Sequence, residues 1–308
     1  SHYLGWRLRH PAWPDRPMKI IVTFPPGGSS DVLARIMAEQ LTKKLGQAVV
    51  VDNKPGGGGT IGGAAVATAA GDGYTLMLSN TTPIALGPFL LDKMPYDPVE
   101  SFTHIANLGA APLVIMASKP SGIKTYAEFE ALARKDGSIN FGSGGPGSIG
   151  HVHGELLKKQ TGMNMVHVPY RGGAPMTTGL VANVIPVGID VITSYVQFFK
   201  TGQLVPLAVT GAQRSPLMPD VPSIVELGQP KLVLENFFGL SGPAKMPADA
   251  VAKLHAACNE TLTMPEIQKR LLDLGITGKP ESVAMFNDLV KNQVAVLGPT
   301  LKGAGIKI

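Results

Sequence analysis

The stretch "FPPGGSSDVLARIM" (Phe24–Met37) stacks two prolines and two glycines, then two hydroxyls and an acid, and continues with helical spacing. "KIIVT" before it reads as a buried strand. A strand that ends in a Gly-rich turn and restarts as a helix leaves unpaired backbone N–H groups at the helix start. The helix dipole adds partial positive charge there, an arrangement suited to an anion. Gly27 and Gly28 let backbone approach a ligand, Ser29 and Ser30 cap or donate, and Asp31 complements the dipole in the first turn. From this stretch alone an ordinary capped βα turn fits equally well.

Working outward, "SSDVLARIMAEQLTKKLG" reads as an amphipathic helix, "AVVVDN" as a strand, "GGAAVATAA" as a helix and "YTLMLSN" as a strand. That β-α-β-α-β order predicts an open, mostly parallel sheet flanked by helices. The alternation restarts at "PLVIMAS", runs through "INFGS", "IGHVHGELLKKQTG", "MVHVPY", "APMTTGLVAN", "PVGID" and "VITSYVQFFKTG", and ends at "LVPLAVT". The tail supplies one strand, "FFGLSGPA", and then nearly continuous helix. Two α/β sets followed by a returning strand predict two lobes. The first comprises residues 13–109 and 236–308 and the second residues 110–235, with crossings near Gly109–Pro112 and Leu234–Phe238. Two crossing strands make a hinge, and the cleft between the lobes is the expected ligand site.

The 308 residues suffice for two such units, and 44% hydrophobic against 16% charged residues indicates a globular chain with a sparsely charged surface. Gly 37 and Pro 26 are distributed between periodic segments, which predicts punctuated turns rather than disorder. Of the net charge of +5, Arg7 and Arg9 contribute two, and the remainder is too scattered for a nucleic-acid partner. The single cysteine, Cys258, excludes an intramolecular disulfide and shares helical spacing with Val251, Leu254 and Leu262, so it reads as a core thiol. No apolar run reaches the ~20 residues of a membrane span. Residues 1–12 lack periodicity and read as a tag or leader remnant, with any signal peptide already removed.

A second βα turn occurs in "FGSGGPGSIGHVHGELL", where Gly145, Gly147, Ser148, Ile149 and Gly150 follow the strand "INF". A third group of small donors, "SNTTP" at Ser79–Pro83 with Asn80, Thr81 and Thr82, lies where the strand "YTLMLSN" ends. All lie where strands end, which is where open α/β sheets bind ligands. "PGGGGTIGG" contains G-x-G-x-x-G at Gly57, Gly59 and Gly62, but "DNKP" separates it from its strand. No acid ends the next strand, so a flexible loop is expected there rather than a dinucleotide site. His151 and His153 lack metal-ligand spacing and read as packing or capping residues. Asp190 ends "PVGID" and either faces the cleft or caps the helix after it. No nucleophile elbow or acid–base pair is present, so the sequence argues for ligand binding without catalysis and without a cofactor.

With these motifs in hand, the chain resembles the Bug-type, or TctC-type, extracytoplasmic solute-binding proteins of tripartite tricarboxylate transporters. The matching segments include "PMKIIVTFPPGGSSDVLARIMAEQL", "LGQAVVVDNKPGGGGTIGGAAVA", "GELLKKQTGMNMVHVPYRGGAPM" and "GQLVPLAVTGAQRSPLMPDVPSIVELG", in family order from Trp13 onward. The resemblance implies a type II-like, Venus-flytrap periplasmic binding fold, α/β in class, with each lobe a mixed, mostly parallel sheet flanked by helices. It implies a monomeric periplasmic receptor that closes on a small organic carboxylate and delivers it to membrane permease subunits. A sensor presenting the same ligand to a histidine kinase is the alternative, and an α/β enzyme is less favoured.

Carried over, the resemblance assigns Pro26, Gly27, Gly28, Ser29 and Ser30 to one side of the ligand, and Phe24 at the start of the same stretch is a further candidate. Gly145, Gly147 and Ser148 stand opposite, and Asn80, Thr81, Thr82 and Asp190 complete the site. The family's second-lobe loop usually reads S-G-N-G-T-S-S-H, whereas this chain has G-G-P-G-S-I-G-H. Pro146, Ile149 and Gly150 replace polar residues, which points to a ligand with an aromatic or extended aliphatic body, terephthalate-like acids included.

Overall fold

The computed structural model describes residues 12–135 and 137–307. Of the leader expected at residues 1–12, all but Ala12 lies outside them.

Strand β1 (Met18–Val22) opens the fold. Helix α1 (Ser29–Leu45) ends at Gly46, whose left-handed backbone donates to Thr42 O, so the sequence stops the helix where glycine permits it. Strand β2 (Val49–Asn53), helix α2 (Thr60–Ala67) and strand β3 (Thr75–Asn80) complete the first set. Both β2 and β3 pair with β1 in parallel, and Ile20 and Ile21 on β1 are buried on opposite faces of the sheet. A short helix α3 (Gly87–Leu90) leads on to strand β4 (Phe102–Ser118).

Helix α4 (Tyr126–Arg134), capped by Thr125, precedes β5 (Ile139–Ser143), α5 (Ile149–Thr161), β6 (Met165–Pro169), α6 (Gly173–Val181) and β7 (Val187–Val191). Strand β5 is parallel to both β6 and β7. Helix α7 (Val196–Lys200) and β8 (Leu204–Val209) follow. The chain returns as β9 (Glu235–Pro243) and closes with α8 (Ala248–Leu262), α9 (Pro265–Asp273) and α10 (Val283–Ala304). Cys258 on α8 is buried, and burial pushes its thiol up to about 12.

The strands run β2-β1-β3-β9-β4-β7-β5-β6, with β8 also on β4. Parallel arms thus flank an antiparallel centre. Strand β4 belongs to both halves: Phe102–Pro112 pair with β9, and from Leu113 the strand pairs with β7 and β8. At the change-over, Ala110 and Thr277 exchange backbone hydrogen bonds of 2.9 Å, tying the segment between α9 and α10 to the crossing strand. The last turns of α10, at Leu297 and Leu301, share a buried cluster with Ile149 and Val152 of α5.

Three expectations change. The strand read as "PLVIMAS" is the second part of the 17-residue β4. Register shifts at His104/Ala106 and Asn107/Gly109 interrupt the two-residue alternation of its first part, so periodicity alone does not reveal it. The stretch "VITSYVQFFKTG" is not one helix but a 3₁₀ turn at Ile192–Ser194 followed by α7. The glycine run expected as a flexible loop is a wound, packed turn: Gly57–Gly59 form a 3₁₀ turn directly before α2, and Gly59 is buried beside Thr23 and Pro83.

Candidate functional site: a cleft lined by three helix starts

A cleft of about 810 Å³ is bounded by three turns of the same kind, each joining a strand end to a helix start. The first joins β1 to α1. Asp31 holds it, taking the Gly27 N–H on Oδ2 at 3.0 Å and the Asn53 amide on Oδ1 at 3.0 Å, while Arg35 Nε donates to Oδ2 at 3.2 Å. Burial acts to raise the Asp31 carboxyl pKa, but the hydrogen bonds from Asn53, Gly27 and Arg35 outweigh it and hold the group below its usual range. Asn53 also donates to Phe24 O at 3.1 Å, so one amide braces both ends of the turn. With Asp31 spent on Gly27, the N–H groups of Gly28, Ser29 and Ser30 have no acceptor among the described residues. Ser30 Oγ accepts from Asn80 Nδ2 at 2.7 Å, and Asn80 Oδ1 in turn accepts the Thr82 N–H at 3.1 Å.

The second turn joins β5 to α5. Ser148 is the helix cap, its side chain accepting from His151 N, and the Ser148 N–H closes a turn onto Gly145 O at 3.1 Å. The N–H groups of Ile149 and Gly150 have no acceptor among the described residues. Gly147 has a φ of +75°, and a side chain there would also strike Leu90 of α3.

The third turn, Tyr170–Gly172 between β6 and α6, was not assigned to the site from the sequence. Gly172 N–H donates to Gly144 O at 2.9 Å, locking this turn to the second one. The N–H groups of Gly173 and Ala174 have no acceptor among the described residues. The signal was present in "YRGGAP", a strand end with two glycines before a helix, as in the other two turns.

The cleft wall includes Phe24, Pro26, Gly27, Gly28, Ser29 and Ser30 from the first turn, Asn80 at the end of β3 and Thr82 just after it, and Ser148, Ile149 and Asp190 opposite. Four expected residues lie behind that wall. Thr81 is fully buried, its hydroxyl donating to Gln293 Oε1 on α10 at 2.8 Å and accepting the Phe237 N–H at 3.2 Å. Gly145 and Gly147 are buried within their turn, their N–H groups taken by Ser143 Oγ and His151 Nδ1. Gly150 packs against the Ile189 carbonyl of β7, where any side chain would collide. Its lack of a side chain therefore reflects close helix–strand approach rather than an opening in the wall.

Asp190 Oδ1 accepts the Val191 N–H at 2.7 Å, and Oδ2 accepts from Tyr195 OH at 2.6 Å. Burial raises its pKa, and the hydrogen bonds from Tyr195 and Val191 work against that shift. The sequence reading also missed Arg171, Phe198 and Asn236 on the wall. Arg171 is exposed at the cleft and forms no ion pair among the described residues, so one cation borders the site beside the backbone donors. Among the described residues no cluster of His, Cys, Asp or Glu is arranged for a metal ion. The arrangement presents N–H donors from three helix starts to an apolar-sided space, which is equipment for seating an anion.

The profile of the tripartite tricarboxylate transporter family receptor matches residues 33–306. The chain belongs to that family. It is similar to several solved structures across nearly its whole length. One is Rpa4515 from R. palustris with adipate, at 30% identity and a TM-score of 0.88, covering 96% of this chain and 99% of that one. Another is the periplasmic binding protein BugD, at 30% identity and 0.84, with the same coverage. MatC from Rhodopseudomonas palustris with bound malate is 28% identical at 0.83, covering 94% and 100%. This receptor therefore has the two-lobed α/β fold of the periplasmic binding proteins. Its family consists of solute-binding receptors rather than enzymes, and among the described residues no helix is long and apolar enough to cross a membrane.

Proposed function

We propose that this receptor captures a small organic carboxylate in the periplasm and delivers it, as a monomer, to the permease subunits of a tripartite tricarboxylate-type transporter. The observation that carries the reading is the convergence of three helix starts, at Ser29, Ile149 and Gly173, on one cleft. Their free N–H groups neutralise a carboxylate through oriented dipoles, which cost no reorganisation when the ligand arrives. Phe24, Ile149 and Phe198 line the same space and suit an aromatic or extended aliphatic body, terephthalate-like acids included. The adipate and malate bound to the two relatives belong to the same broad class.

In this reading the lobes divide where β4 exchanges β9 for β7 and β8, and where β9 begins. The acid docks on the α1 turn, and closure about β4 and β9 brings the α5 and α6 turns onto it. Ligand contacts to both lobes favour the closed state. A thermal-shift screen of aliphatic and aromatic mono- and dicarboxylates against amino acids and sugars tests this, since a ligand that binds only the folded state raises the midpoint by mass action. Stabilisation by sugars or amino acids with no response to any carboxylate refutes the reading.

A further inference from the structure

Behind the second turn lies a pair of imidazoles. His151 on α5 and His167 on β6 stack with ring centroids 3.6 Å apart and planes 6° from parallel. Each ring grips one end of the Ser143–Ser148 turn. His151 Nδ1 receives the Gly147 N–H at 3.0 Å. His167 Nε2 is hydrogen-bonded to Ser143 Oγ, which also bonds both the N–H and the carbonyl of Gly145 at 3.1 Å. A backbone N–H only donates, so Nδ1 of His151 must carry a lone pair. The ring is therefore neutral, with its proton on Nε2, 3.6 Å from Glu155 Oε1.

We propose that His151 is a positioning residue that holds the second turn in its anion-receiving shape only while neutral, so that acidification opens the turn and weakens ligand binding. Protonation at Nδ1 would set two donors against each other at Gly147. The turn would have to move, taking with it the Ser148 cap and the Ile149 and Gly150 N–H groups. The groups facing the pair are Glu155 and Lys158 on α5: Glu155 favours the charged form of His151, and Lys158 opposes it. Burial is the largest influence on both rings and disfavours their charged forms, and His151 and Lys158 add to that effect on His167. The transition therefore lies on the acid side of the ordinary histidine range. The binding consequence rests on the carboxylate reading above, whereas the coupling between His151 and Gly147 does not.

Nuclear magnetic resonance on the ligand-free protein tests the coupling directly. Long-range ¹H–¹⁵N spectra should show the Nε2–H tautomer for His151 at pH 7.5, and the Gly147 amide should titrate with the same midpoint as the His151 ring. A Gly147 amide that does not move, or an Nδ1–H tautomer, overturns the inference whatever the ligand. Calorimetry with adipate and malate at pH 7.5 and 4.5 tests the consequence on wild type and His151→Asn, whose Oδ1 retains an acceptor that does not titrate. The variant should bind within about threefold of wild type at pH 7.5 and lose at least threefold less affinity on acidification. Because both proteins see the same ligand, its own protonation cancels in the ratio. Parallel losses in the two proteins overturn the binding consequence. If neither acid binds at pH 7.5, the carboxylate reading fails for these probes, and the amide titration still decides the coupling.

Discussion

Asp31 holds the turn that precedes its own helix: its Oδ2 accepts the Gly27 N–H at 3.0 Å, four residues back along the chain. An acid in the first helical turn reads from sequence as a complement to the helix dipole. Here it also fixes the backbone between β1 and α1 and leaves the next N–H groups free for the cleft. Asp31→Ala should cost roughly 1–3 kcal/mol at pH 7, because it strands Gly27, Asn53 and Arg35 together. Its folded-state pKa lies below the usual range, so the ionised carboxylate contributes fully at neutral pH. That contribution is lost as pH falls through the carboxylate range. Urea unfolding of wild type and variant at pH 7 and at pH 3.5 checks this; a gap between them that does not narrow at the lower pH contradicts the assignment.

Thr81 and Thr82 should separate stability from binding. Thr81 satisfies Gln293 and the buried Phe237 N–H, so Thr81→Val should cost about 1–3 kcal/mol. It should leave the affinity for a carboxylate identified by thermal shift within about twofold. Thr82 lies on the cleft wall, and Thr82→Val should instead alter affinity more than stability. Paired denaturation and calorimetry decide it, and weakened binding by the Thr81 variant alone would return that residue to the site.

Gly150→Ala tests why the α5 turn lacks a side chain. A methyl group there meets the Ile189 carbonyl, so α5 must lift off β7 at an overpacking cost of about 1–3 kcal/mol. The adjacent Ile149 would shift with the helix and weaken ligand binding. An alanine variant as stable as wild type would show that the contact yields easily.

Stability should also fall with acid through two buried histidines. His104 and His153 are held neutral by burial, each lowered from 6.5 to about 4, despite hydrogen bonds to Pro98 O and Leu232 O. Above pH 6.5 neither state takes the proton, and the contribution is constant. Between 6.5 and 4 the unfolded chain binds a proton that the folded one refuses, so stability falls by up to about 3 kcal/mol per histidine. Below 4 the difference levels off. His153→Gln keeps a donor for Leu232 O without titrating, and it should lose about 1 kcal/mol or more less than wild type between pH 7 and 4.5. Equal losses in urea would count against a neutral buried His153.

Most of the fold is legible in the sequence because local signals carry it. The apolar runs of β1, β3 and β7, the helix stop at Gly46 and the Gly-rich restarts at Gly27 and Gly147 depend on the chain within a few residues of each position. The first part of β4 was hidden because its bulges break the alternation, and only pairing with β9, more than a hundred residues later, makes it a strand. At the site, the two βα turns were readable as candidate donors. That "YRGGAP" joins them depends on Gly172 reaching Gly144, a long-range contact that no local pattern encodes.

The amino-acid sequence by itself determined the α/β alternation, the family and the residue types suited to an anion, because these follow from periodicity, turn chemistry and motif order. The tertiary structure decided which of those residues face the cleft. Thr81 turns inward because α10 offers it Gln293, and Gly150 meets β7 because helix α5 lies too close for a side chain. Gly147 gives its N–H to His151 rather than to a ligand. Side-chain direction at a turn is set by what packs behind it, and those neighbours come from distant parts of the chain.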